Sequence, residues 1–173
     1  MDGGSDVGVE LRRPRVAPPV CPVDRLPIRR RNAICLRIIV IGALNFVLYT
    51  ILYAVLGGDA HNGDRKLVET EAGGVAAVYY VRGHFIRTAD GMAREVSRSV
   101  WIYSYLHSIS VWVTSAAMII SMLVLARPHI LATMRHGWIS GQTFITAFGT
   151  LVVLITSTAV FMFAWDMVAQ LAE

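Results

Sequence analysis

Three stretches of this chain contain no Asp, Glu, Lys or Arg: residues 38–56, 105–126 and 144–165. A hydrocarbon layer about 30 Å thick is crossed by about 20 helical residues rising about 1.5 Å each, and each stretch has that length. Inside lipid a segment must satisfy its own backbone hydrogen bonds, so helices rather than strands are expected. Local signals mark the borders. Arg37 precedes the first stretch and Gly57-Gly58-Asp59 follow it. Arg127-Pro128 are expected to stop the second, since proline disfavours helix continuation. Ser97 or Ser99 suits the amino-terminal cap of a slightly earlier start to that helix. Gly141-Gln142-Thr143 lead into the third stretch and Asp166 closes it.

Composition points the same way. Charged residues make up 16% of the 173 residues and mean hydropathy is +0.54, whereas soluble chains average about 25% charged. A single globule of this size leaves too much surface in water to hide so many apolar side chains. The expected fold class is an all-α membrane protein with three transmembrane helices. A short extracytoplasmic loop containing a β-hairpin joins helices 1 and 2. The expected segments are a basic cytoplasmic tail (1–32), helix 1 (33–57), the extracytoplasmic loop (58–98) and helix 2 (99–126). A cytoplasmic loop (127–141), helix 3 (142–168) and an extracytoplasmic carboxyl terminus (169–173) complete the chain.

The direction of insertion follows from the distribution of arginine. Arg12, Arg13, Arg15, Arg25, Arg29, Arg30, Arg31 and Arg37 precede the first stretch, and Arg127 and Arg135 lie between the second and third. Between the first and second, six basic residues face six acidic ones, and only Asp166 and Glu173 follow the third. The two basic sides agree across all three crossings, which places the amino terminus in the cytoplasm. The basic region is too long and the apolar run too extended for a cleaved secretory signal, so a signal anchor is expected. The tail, rich in Pro and Gly, cannot build a packed core and is expected to be disordered. Its arginines suit anionic headgroups, at about 1 kcal/mol each near the surface, rather than nucleic acid. Cys21 and Cys35 are then cytoplasmic thiols, with neither a disulfide framework nor zinc spacing.

The external loop offers the only extramembrane structure of any size. His61-Asn62-Gly63-Asp64 reads as a turn. Two β-prone runs, 75–81 and 85–88, flank Arg82-Gly83-His84 and suggest a hairpin, with a further turn at Asp90-Gly91. An isolated hairpin is marginal in water. This one is expected to rest on the membrane face, on the helix ends or on another subunit, with Tyr79, Tyr80 and Phe85 at the interface. His61 and His84, with Asp59, Asp64, Glu69 and Glu71, lack the spacing of a metal site.

Ionisable groups at membrane depth are functional candidates. His107 and Asp166 fall at similar levels near the outer surface of antiparallel helices, where they could pair to relay protons or hold a ligand. The plainer reading leaves both at the wet interface, among Trp101, Tyr103, Tyr105, Trp112 and Trp165. Tyr103, His107, Ser110 and Thr114 follow steps of three and four residues and so share one helical face, beside Ser104, Ser108 and Ser115. Such a face favours other helices, through hydrogen bonds worth roughly 0.6–2 kcal/mol each. Gly42 and Asn45 on helix 1, and Gly149, Thr150 and Ser157 on helix 3, are the expected packing positions.

The chain shows no phosphate loop, nucleophile elbow or zinc-protease motif. It is therefore expected to be no enzyme and to hold no resident cofactor. The expected function is a structural or accessory subunit of a plasma-membrane complex, with protein partners or further copies of itself and no nucleic acid. An alternative is a redox or proton-linked subunit using His107 with haem or quinone; a channel-forming oligomer is a third.

Overall fold

A computed structural model describes residues 27–69, 73–83, 93–135 and 138–172. The tail through residue 26, with Cys21, lies outside these residues, as do His84, the 85–88 run and Asp90-Gly91. The elements in order are α1 (Ile28–Leu56), β1 (Arg65–Glu69), β2 (Val75–Val81), β3 (Arg94–Val96), α2 (Arg98–Thr133) and α3 (Gly141–Ala172). The helices contain 29, 36 and 32 residues, and their most apolar windows have mean hydropathies of 2.3, 2.2 and 2.1. Each is long and apolar enough to cross a bilayer.

The helix ends follow from their capping residues. Gly57 adopts the left-handed conformation at φ 78° and gives its N–H to Tyr53 O, which closes α1. Of the two candidate serines, Ser97 caps α2, its hydroxyl accepting from Val100 N at 3.4 Å. Ser140 does the same for α3, accepting from Thr143 N at 3.1 Å. α1 starts at Ile28, earlier than the apolar run, because Arg29, Arg30 and Arg31 are good helix formers that extend it beyond the hydrocarbon length.

One border differs from expectation. Arg127-Pro128 do not stop the second helix, which continues to Thr133. Proline forgoes one ladder bond, but the turn beyond it is held: Thr133 Oγ1 donates to His129 O and Met134 N to Ile130 O, both at 2.9 Å. The returning chain also packs there. Gly141 at the start of α3 lies so close that a Cβ would stand 3.1 Å from Ile130 O and from Leu131 Cα.

The strands form one antiparallel sheet in the order β1-β2-β3. Arg65 faces Tyr79 and Glu69 faces Val75 on one side of β2; Tyr79 faces Val96 and Val81 faces Arg94 on the other. β2 is the strand expected from the sequence, but its partners are 65–69 and 94–96. The residues expected to pair with it, 85–88, are outside the described set. A further bridge, Asp59 to Arg82, ties the chain leaving α1 to the end of β2, with backbone bonds of 3.1 Å in both directions. Only glycine fits at position 58, because φ is +153° and a Cβ would overlap the Arg82 backbone.

The sheet rests on the helix ends. Val81, Ala60, Trp101 and Tyr105 are fully buried, and Tyr79 nearly so. The Trp101 ring centroid lies 5.0 Å from that of Tyr105 and 5.5 Å from that of Tyr79, within the 4.5–7 Å range of favourable aromatic pairs. Below this cap α2 is the central helix, and α1 and α3 pack chiefly against it rather than against each other. The outer faces of α1 and α3 are apolar and uncovered, with Leu44, Phe46, Val47, Leu151, Leu154 and Phe161 all exposed. Surfaces of that kind fit a lipid solvent and not an aqueous one.

Candidate functional site

The polar side chains gather in two clusters near the sheet end of the bundle. The first lies in the seam between α1 and α2. Gly42, Asn45 and Tyr49 recur at three- and four-residue steps and so share one stripe of α1. Gly42 lets the helices approach, since a Cβ would overlap the Met118 side chain and stand 3.3 Å from Thr114 O. Asn45 then reaches three groups of α2: its amide nitrogen donates to Ser110 Oγ at 3.2 Å and Thr114 Oγ1 at 3.0 Å, and its oxygen lies 3.2 Å from His107 Nε2. His107 is 8% exposed and stands edge-on to the Tyr49 ring, with centroids 5.7 Å apart. Tyr49 donates in turn to Asp59 Oδ2 at 2.8 Å, while Asp59 Oδ1 accepts from Asn62 N and Nδ2 at 3.2 and 2.7 Å. Ser104, one turn before Ser108, accepts from Ala60 N at 3.2 Å and fastens the loop to α2.

The second cluster fastens α3. Tyr105 of α2 donates to Asp166 Oδ2, and Gln170 Nε2 donates to the same oxygen at 3.1 Å. His61 from the loop places Nδ1 3.2 Å from the Tyr105 oxygen and 3.7 Å from Asp166 Oδ2. Its ring stacks on Phe163 with centroids 3.8 Å apart. Arg65 Nη1 donates to Gln170 O at 2.7 Å, so β1 also holds the end of α3. The strand, the loop and both helices thus meet at a few side chains. Beside them opens a cleft of about 720 Å³ lined by His61, Asp64, Phe163, Asp166 and Gln170.

The paired arrangement of His107 with Asp166 is not what forms. Each lies near the sheet end, but His107 turns to α1 and Asp166 to Tyr105 and the loop. The other positions singled out in the sequence divide as follows. Gly42, Asn45, Ser110 and Thr114 meet in the seam. Tyr103 stays half exposed with its ring 5.6 Å from His107. Gly149 and Thr150 line a groove of about 430 Å³ against Leu123 and Arg127 of α2. Ser157 lies on an exposed face of α3.

Sequence reasoning passed over Tyr49 and Gln170, and weighed Asp59 and His61 only as loop residues and metal ligands, not as partners of the helices. The signal for Tyr49 was present, one turn beyond Asn45 on the same stripe. None existed for His61, whose neighbours are set by the fold of the loop. Among the described residues no three His, Cys, Asp or Glu side chains converge as a metal-ligand set. Comparison with known protein families, curated proteins and solved structures finds no match to this chain.

Proposed function

We propose that this chain is a three-span integral membrane subunit that acts as a structural or accessory part of a plasma-membrane complex, without catalytic activity of its own. The amino terminus lies in the cytoplasm, and the sheet and carboxyl terminus lie outside. The arginine distribution supports that direction. The lipid bilayer supplies the solvent for the apolar outer faces of α1 and α3, and those faces are also where partner helices or a second copy would pack. The sheet, fixed on Trp101 and Tyr105, gives such a partner a rigid external feature.

One observation carries the reading. The polar side chains at membrane depth are bonded to one another: Asn45 with His107, Ser110 and Thr114, and Tyr105 with Asp166. Their hydrogen bonds are spent on holding the helices together. Haem ligation through His107 Nε2 would first require the Asn45 contact to break. Extraction in mild detergent followed by native mass measurement tests the proposal. Expected is a colourless particle larger than one 19.0 kDa chain, with reproducible stoichiometry. A single-copy protein that carries a Soret band, or turns over a substrate alone, would contradict it.

A further inference from the structure

β1 is an edge strand: among the described residues it pairs with β2 alone. Which of its backbone groups face outward follows from the hydrogen-bond phase. Tyr80 N donates to Asp64 O at 2.9 Å, one step before the register pair of Arg65 with Tyr79. Bonded and non-bonded pairs alternate along an antiparallel ladder. Lys66 and Val68 therefore turn their backbone groups to β2, and Arg65, Leu67 and Glu69 turn theirs outward, where no described strand meets them.

Such an edge is a template for another strand, and a lysine is a common device for blocking it. Lys66 does not serve that purpose here, because its Nζ lies over the Tyr80 ring, 5.5 Å from the centroid, drawn back across its own sheet. Leu67 is 58% exposed and Val68 45%. The charges of the strand, Arg65-Lys66-Leu67-Val68-Glu69, match when the strand is read against itself. About a two-fold axis at Leu67, an antiparallel second copy sets each Arg65 opposite a Glu69, on the same face as the two Leu67 side chains. In that register the outward groups of residues 65, 67 and 69 bond to one another. A slip of one residue sets them against groups already turned to β2, and a slip of two sets a charge opposite Leu67. Arg65 gives one N–H to Gln170 O at 2.7 Å, and a guanidinium keeps further donors for a carboxylate.

We propose that β1 pairs with β1 of a second copy of this chain, antiparallel and centred on Leu67, so that two sheets join into one continuous sheet. The interface is isologous, the same strand serving both copies. The proposal rests on the reading of the chain as a subunit that packs with partners, and it names the partner and the surface.

The test is oxidative cross-linking of the full chain in native membranes, with Cys21 and Cys35 replaced by alanine and a single cysteine placed at 66, 67, 68 or 69 in turn. Only position 67 lies opposite itself, at the Cα spacing of about 5.5 Å of a bonded pair, which a disulfide spans. Neighbouring positions meet only diagonally, at about 7–8 Å or more. Leu67→Cys is expected to give severalfold more disulfide-linked dimer than Lys66→Cys, Val68→Cys or Glu69→Cys. Glu69→Arg added to Leu67→Cys faces Arg65 of the second copy with a like charge and is expected to lower the yield severalfold. Equal cross-linking at all four positions, a maximum away from 67, a disulfide to a different protein, or indifference to Glu69→Arg would each overturn the proposal. If the native particle exceeds one chain while Leu67→Cys stays uncrosslinked, the edge pairing falls and the subunit reading stands; a particle of one chain removes both.

Discussion

Asn45 contributes to the seam out of proportion to its size, because water cannot replace its partners at membrane depth. It meets three side chains of α2 at 3.0 to 3.2 Å. Interhelical bonds in membranes contribute roughly 0.6–2 kcal/mol each and are coupled here through shared hydroxyls, so Asn45→Leu is expected to cost about 1–3 kcal/mol. Reversible unfolding in detergent measures it, and an unchanged stability would show the network to be incidental. Gly42 works by absence of a side chain. Gly42→Leu drives atoms into Met118 and towards Thr114 O, an overpacking expected to cost about 1–3 kcal/mol. Lower cross-linking between cysteines placed on α1 and α2 would register the separation.

At the scale of elements, the cap deserves a sharper test than the helices. Trp101 and Tyr105 belong to α2 yet provide the platform under β2. Trp101→Ala is expected to cost about 3–5 kcal/mol and to expose the sheet to protease while helical circular dichroism persists. Equal protease resistance in the variant would mean that the sheet stands without that platform. The elements also differ in how far they could be read from the residues alone. The helices were legible because lipid demands one simple thing, a long uncharged run, and the chain supplies it three times. β2 was legible for its β-branched and aromatic content. Its partners were not, since β1 is Arg65-Lys66-Leu67-Val68-Glu69, a charged segment with no strand signature. The pairing is imposed by the close approach of Gly58 to Arg82 and by burial against Trp101. Pro128 misled for a related reason: the packing of Gly141 on Ile130 and Leu131 outweighs a local preference. Likewise Asn45 and His107 were visible one at a time, whereas their meeting depends on which faces α1 and α2 turn to each other.

For the whole molecule, two features act together. Apolar faces on α1 and α3 flank a central α2, and polar contacts concentrate toward the end that bears the sheet. The opposite end carries Arg127 and Arg135 and, in the first turn of α1, Arg29, Arg30 and Arg31. That asymmetry supports the proposed direction of insertion, with the sheet end facing outward. Labelling with a membrane-impermeant maleimide tests this most directly, in a chain whose Cys21 and Cys35 are replaced by alanine. Gly74 accepts a cysteine without strain, as nothing lies within 4 Å of its Cβ position, and Ile139 is exposed between α2 and α3. In intact cells Gly74→Cys is expected to react and Ile139→Cys to react only after permeabilisation; the reverse pattern, or equal labelling of both from outside, would contradict a three-span protein with its amino terminus in the cytoplasm.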